Sequence, residues 1–321
     1  MKTVLIDNSL CSLPIDERAK PGHIYRYIQA LHEAGVKYVE LDFRTVMKMH
    51  ELPDGVKYIF RLGDPMFSEI AQVFDFSYVL LTVNDIKGSV NIGHTPAIFE
   101  LPALHSFSRK IIGLAQKSIS GPITMARYRG SYPLTEMPEV SDLVYRSRGM
   151  TVPVDFCPMN AKKTALDMAL KLTTAGADSV TLSMGRTKNY ASLEEYMFTL
   201  MSVYGSLPKE FDVAALCKAA AFHKIVFGGR GGDCIGSMMR LIDYDIMHLV
   251  NADTGGRVRV RVSLKDKMFL RQNYVTALQR FIEEEDIPED IADEISDAIE
   301  HFDAPLFDPM LINDPKNKIL N

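Results

Sequence analysis

Between Thr3 and Met184 the chain alternates eight short β-branched or apolar runs with stretches of helical periodicity. The runs are Thr3–Asp7, Lys37–Phe43, Lys57–Leu62, Ser77–Val83, Ala97–Leu101, Ile123–Arg127, Thr151–Cys157 and Ser179–Met184. Strands separated by helical crossovers pair in parallel and carry helices on the sheet face. Eight such units predict a (β/α)8 barrel, an α/β architecture that occupies about 250 residues as one domain. The intervening stretches fit that reading. Ile24, Ile28, Leu31 and His32 recur at helical spacing before Gly35, and Ala165, Met168, Ala169 and Leu172 do so before Gly176. A glycine in each case falls where a helix is expected to stop.

Past Leu193 the rhythm changes. Helices are expected over Leu193–Tyr204, Val213–His223, Leu264–Glu284 and Glu289–Phe302, the last heavily acidic, followed by a proline-containing tail. The expected organisation is a barrel core over 1–205 and a mostly helical extension over 206–321, packed on the barrel or on a partner subunit. Gly228–Gly236 is a glycine-rich break, readable as a phosphate cradle through its backbone N–H groups or as a hinge or lid. Its spacing matches neither the P-loop nor the dinucleotide fingerprint. Arg257–Arg261 alternates like an edge strand with one charged face.

Composition narrows the function classes. A net charge of -5 gives no electrostatic footprint for nucleic acid. No apolar run approaches the roughly 20 residues that span a bilayer, and the opening run is too short for a signal peptide. The four cysteines form no CxxC pair, so reduced thiols in a cytoplasmic protein are expected.

Three segments carry a family resemblance: Asp7-Asn8-Ser9-Leu10, the stretch from Ile28 to Glu40, and Ala165 to Asp178 with Ala191 to Glu195. In these the chain resembles the (β/α)8 enzymes that include isopropylmalate synthase, homocitrate synthase and hydroxymethylglutaryl-CoA lyase, over roughly the span from Thr3 to Tyr204. The resemblance implies an aldolase- or lyase-type active site at the barrel mouth, and appended helices of the kind that form dimers. The departures fall on the metal site. Where that family has Arg-Asp-Gly after its opening motif, this chain has Cys11, Ser12 and Leu13. The family's strand-seven His-x-His is Cys157-Pro158-Met159, although the following Asn160 is kept, and Tyr190 falls at the place of a ligand asparagine. Hard divalent ions want carboxylate, imidazole and carbonyl donors. No metal is therefore expected, and no cofactor beyond an acyl-CoA co-substrate, which is left open.

The strand ends supply other groups, because barrel active sites lie there. Candidate catalytic residues are Asp7, Glu40, Asp155 and Cys157. Candidate substrate-binding residues are Asn8, Asp42, Arg61, Arg127, Arg129, Asn160, Ser183 and Arg186. Arginine forks suit carboxylate and phosphate, so an anionic small molecule is the expected ligand; exposed cations paired with surface acids are the plainer alternative. Glu40 and Asp42 alternate toward the interior, where either an arginine such as Arg61 neutralises them or one serves as a base. Cys157 reads as a nucleophile if a cation activates it, and otherwise as a small buried hydrophobe. His94, in the loop before the fifth run, is a further acid–base candidate or an ordinary loop histidine. The functional expectation is a metal-independent enzyme that forms or cleaves carbon–carbon bonds on a carboxylated or acyl-CoA substrate. The alternative is a non-catalytic barrel that binds a metabolite or supports a partner enzyme.

Overall fold

The computed structural model describes residues 3–49, 51–87, 89–102, 109–132, 136–160, 164–185, 189–204, 211–243 and 264–303. Eight parallel strands close into a barrel in sequence order: β1 (Val4–Asp7), β2 (Tyr38–Asp42), β3 (Lys57–Arg61), β4 (Tyr78–Thr82), β5 (Ala97–Pro102), β6 (Ile123–Gly130), β7 (Val154–Pro158) and β8 (Ser179–Leu182). β8 returns to pair with β1, matching Leu5 with Val180 and Asp7 with Leu182. Each expected run overlaps its strand, but β5, β6 and β7 run past the expected ends, to Pro102, Gly130 and Pro158; the extension of β6 carries Arg129 into the mouth.

Side-chain alternation sorts the strands into two faces. Ile6, Ile59, Leu80 and Ile98 form a small cluster of their own inside the barrel, floored by Tyr38, Tyr78 and Met125. Their neighbours Leu5, Val39, Phe60, Val79, Leu81 and Phe99 belong to the large core between the strands and the helices. By the same alternation Asn8, Glu40, Arg61, Glu100, Arg127 and Asp155 point inward above the apolar floor, while Asp7 points toward the helices.

The helical layer consists of α1 (Ser9–Ser12), α2 (Pro21–Glu33), α3 (Phe43–Lys48), α4 (Ile70–Val73), α5 (Arg109–Gln116), α6 (Met137–Ser147), α7 (Ala165–Thr174) and α8 (Leu193–Tyr204). Proline at the first position of α2 removes an amide that would have no partner there. Beyond the barrel come α9 (Val213–Phe227), α10 (Cys234–Asp243), α11 (Leu264–Glu284) and α12 (Glu289–Asp303). Asp212 caps α9 by accepting from Ala214 N and Ala215 N, at 2.8 and 3.2 Å. This helix is apolar nearly all round because it is covered on several sides. Tyr27 of α2 meets Phe227 edge-on at 5.6 Å, and Phe222 meets Phe281 of α11 at 4.8 Å. Gly228 ends the helix in the left-handed conformation, φ 58°.

The glycine-rich segment is tightly packed at Gly231. A Cβ on Gly231 would lie 2.2 Å from Cε1 of His223, and one on Gly185 would lie 2.2 Å from the Gly231 carbonyl oxygen. These glycines let the turn after α9 press against the end of β8. Arg257–Arg261 lies outside the described residues. Among the described residues no helix is long and apolar enough to cross a membrane.

Candidate active site

Strand register builds the mouth. β5 and β6 set Glu100 beside Arg127, β6 and β7 set Arg127 beside Asp155 and Arg129 beside Cys157, and β2 and β3 set Asp42 beside Arg61. Across the lumen Arg127 donates Nε to Asp155 Oδ2 at 2.5 Å and Nη1 to Glu40 Oε2. Arg61 donates Nε to Glu40 Oε1 at 2.6 Å and Nη2 to Glu100 Oε2 at 3.0 Å. Arg129 donates Nη1 to Glu100 Oε1 at 3.3 Å. Three guanidinium groups and three carboxylates thus form one ionic network whose formal charges cancel.

Each arginine of the network meets at least one carboxylate. Burial alone would push the Glu40 carboxyl up, but the charges of Arg127 and Arg61 overcome it and hold the group at about 2. A carboxylate so stabilised is a poor proton acceptor, so Glu40 does not suit the general-base role. Pairing by Arg61, the other reading, describes it. Asp155 is raised by burial against the opposing pull of Arg127, Thr181 and Ser179. It takes Thr181 Oγ1 at 2.7 Å and Ser179 Oγ at 3.0 Å as well as Arg127, and it is fully buried. These bonds make it a partner that orients Arg127. Cys157 is also fully buried, and desolvation raises its thiol pKa more than the nearby Arg127 lowers it. The thiol stays protonated, which removes the nucleophile reading and leaves the hydrophobic one.

Two donors and one acceptor in this lumen remain unspent. Arg127 Nη2, Arg129 Nε and Asn8 Oδ1 are buried and have no hydrogen-bond partner among the described residues. Arg129 also lies over the ring of Tyr190 at 5.3 Å, and Tyr190 forms an antiparallel bridge with Met159.

At the seam of β1 and β8 the hydroxyls make a chain. Asp7 Oδ2 accepts from Ser9 Oγ at 2.7 Å; Ser9 Oγ lies 3.4 Å from Ser183 Oγ, which lies 3.2 Å from Ser12 Oγ. Ser9 N and Met184 N also donate to Asp7, at 3.0 and 3.1 Å. Burial raises the Asp7 carboxyl to about 6 despite these bonds. Behind the same seam Glu194 accepts from Gly185 N at 2.9 Å, and burial brings it to about 7. His223 Nδ1 sits 3.2 Å from the Cys234 thiol, and burial lowers its pKa to about 3, so it is neutral.

The remaining expected residues serve local structure. Asp42 caps α3 through Thr45 N at 3.0 Å and pairs with Arg44 at 2.6 Å. Asn160 Oδ1 accepts from Ala165 N at 3.3 Å, at the start of α7. His94 is exposed and lines a cavity of about 610 Å³ with Phe76 and Pro96, just before the strands begin and so at the face opposite the mouth. Arg186 lies outside the described residues, as do Lys162, Lys163 and Lys188. Ser9, Thr181 and Glu194 were not singled out from sequence. Thr181 and Glu100 were legible by counting in twos from Ser183 and Ile98; Ser9 and Glu194 carry no signal beyond their place beside strand ends.

The donors at the places where the resembling family holds its metal do not fit a hard divalent ion. Cys11, Ser12, Leu13, Cys157, Met159 and Tyr190 supply thiols, a thioether, hydroxyls and an alkyl group. Among the described residues no three His, Cys, Asp or Glu side chains gather to hold one.

No protein-family model and no curated protein sequence matches the chain. Solved structures do. Hydroxymethylglutaryl-CoA lyase from Pseudomonas aeruginosa is similar at 12% identity over 74% of this chain and 97% of that one, with a TM-score of 0.54. The carboxyl transferase domain of Rhizobium etli pyruvate carboxylase is similar at 12% identity over 90% of this chain and 64% of that one, with a TM-score of 0.51. At such identities the likeness is one of architecture, and the chain has the closed eight-stranded barrel of the lyase and carboxyl transferase structures.

Proposed function

We propose that the chain is an enzyme of the lyase or aldolase type that binds a carboxylated small molecule at the barrel mouth and works without a divalent metal. The observation that carries this reading is the pair of unspent, buried guanidinium edges, Arg127 Nη2 and Arg129 Nε. A donor locked inside a charge-balanced network and left without an acceptor is costly. A carboxylate or enolate oxygen of a substrate would satisfy both and be stabilised by charge-assisted bonds already in position. Asn8 Oδ1 is placed to accept from a substrate hydroxyl. The lyase-type chemistry is carried over from the fold relatives, and acyl-CoA remains a candidate co-substrate on the same ground.

Asp7 is the proton acceptor in this reading. With its carboxyl near 6 it is ionised at neutral pH, yet close enough to neutrality to take a proton. It faces away from the lumen, so the proton travels through hydroxyls. Ser12 accepts from the substrate as it donates to Ser183; Ser183 donates to Ser9, and Ser9 to Asp7. Ser183 thus has a relay role in addition to any contact with ligand. A second reading, a binding barrel without turnover, is favoured by one observation: Glu40, Asp155 and Cys157 are all held in unreactive states.

Thermal-shift measurements with 2-oxo acids, dicarboxylates and acyl-CoAs, with and without EDTA, test the reading. Saturating a specific acid at about 100 times its Kd should stabilise the fold by about 2.7 kcal/mol. The effect should be unchanged by EDTA and lost in Arg129→Met. Stabilisation that requires Mg2+ or Mn2+ overturns the metal-free claim, and stabilisation by no acid overturns the site. Binding without product formation leaves the second reading.

A further inference from the structure

Beside the mouth lies a second, smaller niche. Leu10, Leu13, Pro14, Ile15, Asp42, Arg44, Thr45 and Lys48 line a cavity of about 210 Å³ between the turn after β1 and helix α3. Its lining shares no residue with the ionic network of the lumen. Ser12 of that turn reaches Ser183 in the mouth at 3.2 Å, and Leu10 and Leu13 border the niche. Its floor is apolar and its rim is charged. Asp42 contributes no free acceptor, because Oδ2 takes Arg44 and Oδ1 takes Thr45 N and Oγ1. Arg44 is offset by that carboxylate. Lys48 donates Nζ to the Asp16 carbonyl at 2.8 Å and has no ion pair among the described residues. An ammonium carries three donors, so two are left to serve a ligand. One acid against two cations leaves the rim with a formal charge of +1.

We infer that this niche binds a short-chain apolar monocarboxylic acid, its alkyl part on Leu10, Leu13 and Ile15 and its carboxylate on Lys48 and the outer edge of Arg44. Size supports the class. A dry cavity of about 150 Å³ holds a six-carbon ring, so 210 Å³ admits an acid of about seven or eight heavy atoms. A phosphate ester or sugar would leave its polar groups against the leucines and fits less well. The inference is independent of what the mouth does.

The test uses the full chain carrying 13C-labelled Ile, Leu and Met methyls, titrated with sodium 3-methylbutanoate to about 20 mM at constant ionic strength. Saturable shifts are expected at Leu10, Leu13 and Ile15, with a Kd of about 1 mM. Lys48→Met should weaken binding by about tenfold, and the neutral isostere 3-methylbutanamide should bind wild type no more tightly than the acid binds that variant. Ile15→Phe, which fills the niche from its half-buried edge, should abolish the shifts. Absence of saturation, equal binding of amide and acid, or an unaffected Lys48→Met variant overturns the inference. So does reproduction of the same shifts by sodium sulfate, which would indicate charge attraction alone. Shifts confined to Met159 overturn it while leaving the mouth reading intact.

Discussion

Replacing Glu194 by Gln should make the protein more stable at high pH and leave it unchanged at low pH. The carboxyl is fully buried, and desolvation raises it from 4.5 to about 7. Raising the group from 4.5 to about 7 corresponds to about 3 kcal/mol, since a tenfold change in proton affinity is worth about 1.36 kcal/mol. Below pH 4.5 the group is protonated whether the chain is folded or unfolded, and contributes no pH dependence. Between pH 4.5 and 7 only the unfolded chain gives up its proton, so stability falls as pH rises. Above 7 the folded protein carries a buried anion and the full cost of about 3 kcal/mol applies. Gln keeps an oxygen for Gly185 N and nearly the same volume, but carries no charge. Urea unfolding at pH 8.5 should show a midpoint higher by about 1 M in the variant, given slopes of about 3 kcal/mol/M for a chain this size. At pH 4.5 the midpoints should coincide. A variant destabilised equally at both pH values would show that the carboxylate is ionised and well paired, and the burial argument would fail.

Arg127→Met strands Glu40 and Asp155 without their shared partner and should cost about 3–5 kcal/mol; a loss below about 1 kcal/mol in denaturant titration would mean that water or Arg61 takes over. Cys157 should resist iodoacetamide in the folded protein at pH 8 and react only on unfolding, as peptide mass mapping can follow; rapid native labelling would contradict its burial.

The barrel was legible because a parallel strand buried on both faces and a helix buried on one leave different periods in the sequence. All eight runs from Thr3–Asp7 to Ser179–Met184 overlap a strand, and Leu264–Glu284 forms a helix with those bounds. The mouth was legible as a list of strand-end residues but not as a balance. The sequence places Glu40, Arg61, Glu100, Arg127 and Asp155 on alternating positions; only register decides that each acid meets an arginine. The sequence allows Glu40 to be a counter-ion or a base, with pairing the commoner outcome; Arg61 and Arg127 both meet it. Asp7 ends its strand on the helix side, since Ile6 faces inward, and its bond to Ser9, with the approach of Ser9 to Ser183 across the β1–β8 seam, is a contact that strand periods do not encode. The glycines at 228–236 allow a phosphate cradle or a hinge from sequence alone, because close backbone packing, bending and anion binding call for the same residue.

The seam has a consequence for how the chain is made. Two consecutive amides, Met184 N and Gly185 N, are held by carboxyl groups far apart in the sequence, Asp7 at the end of β1 and Glu194 in α8. Synthesis must pass β8 before the first strand can find its last neighbour, so the nascent chain emerges with both edges of an open sheet unpaired. Such distant pairing is slow, and those bare edges are where a partly made copy is most exposed to sticking to another.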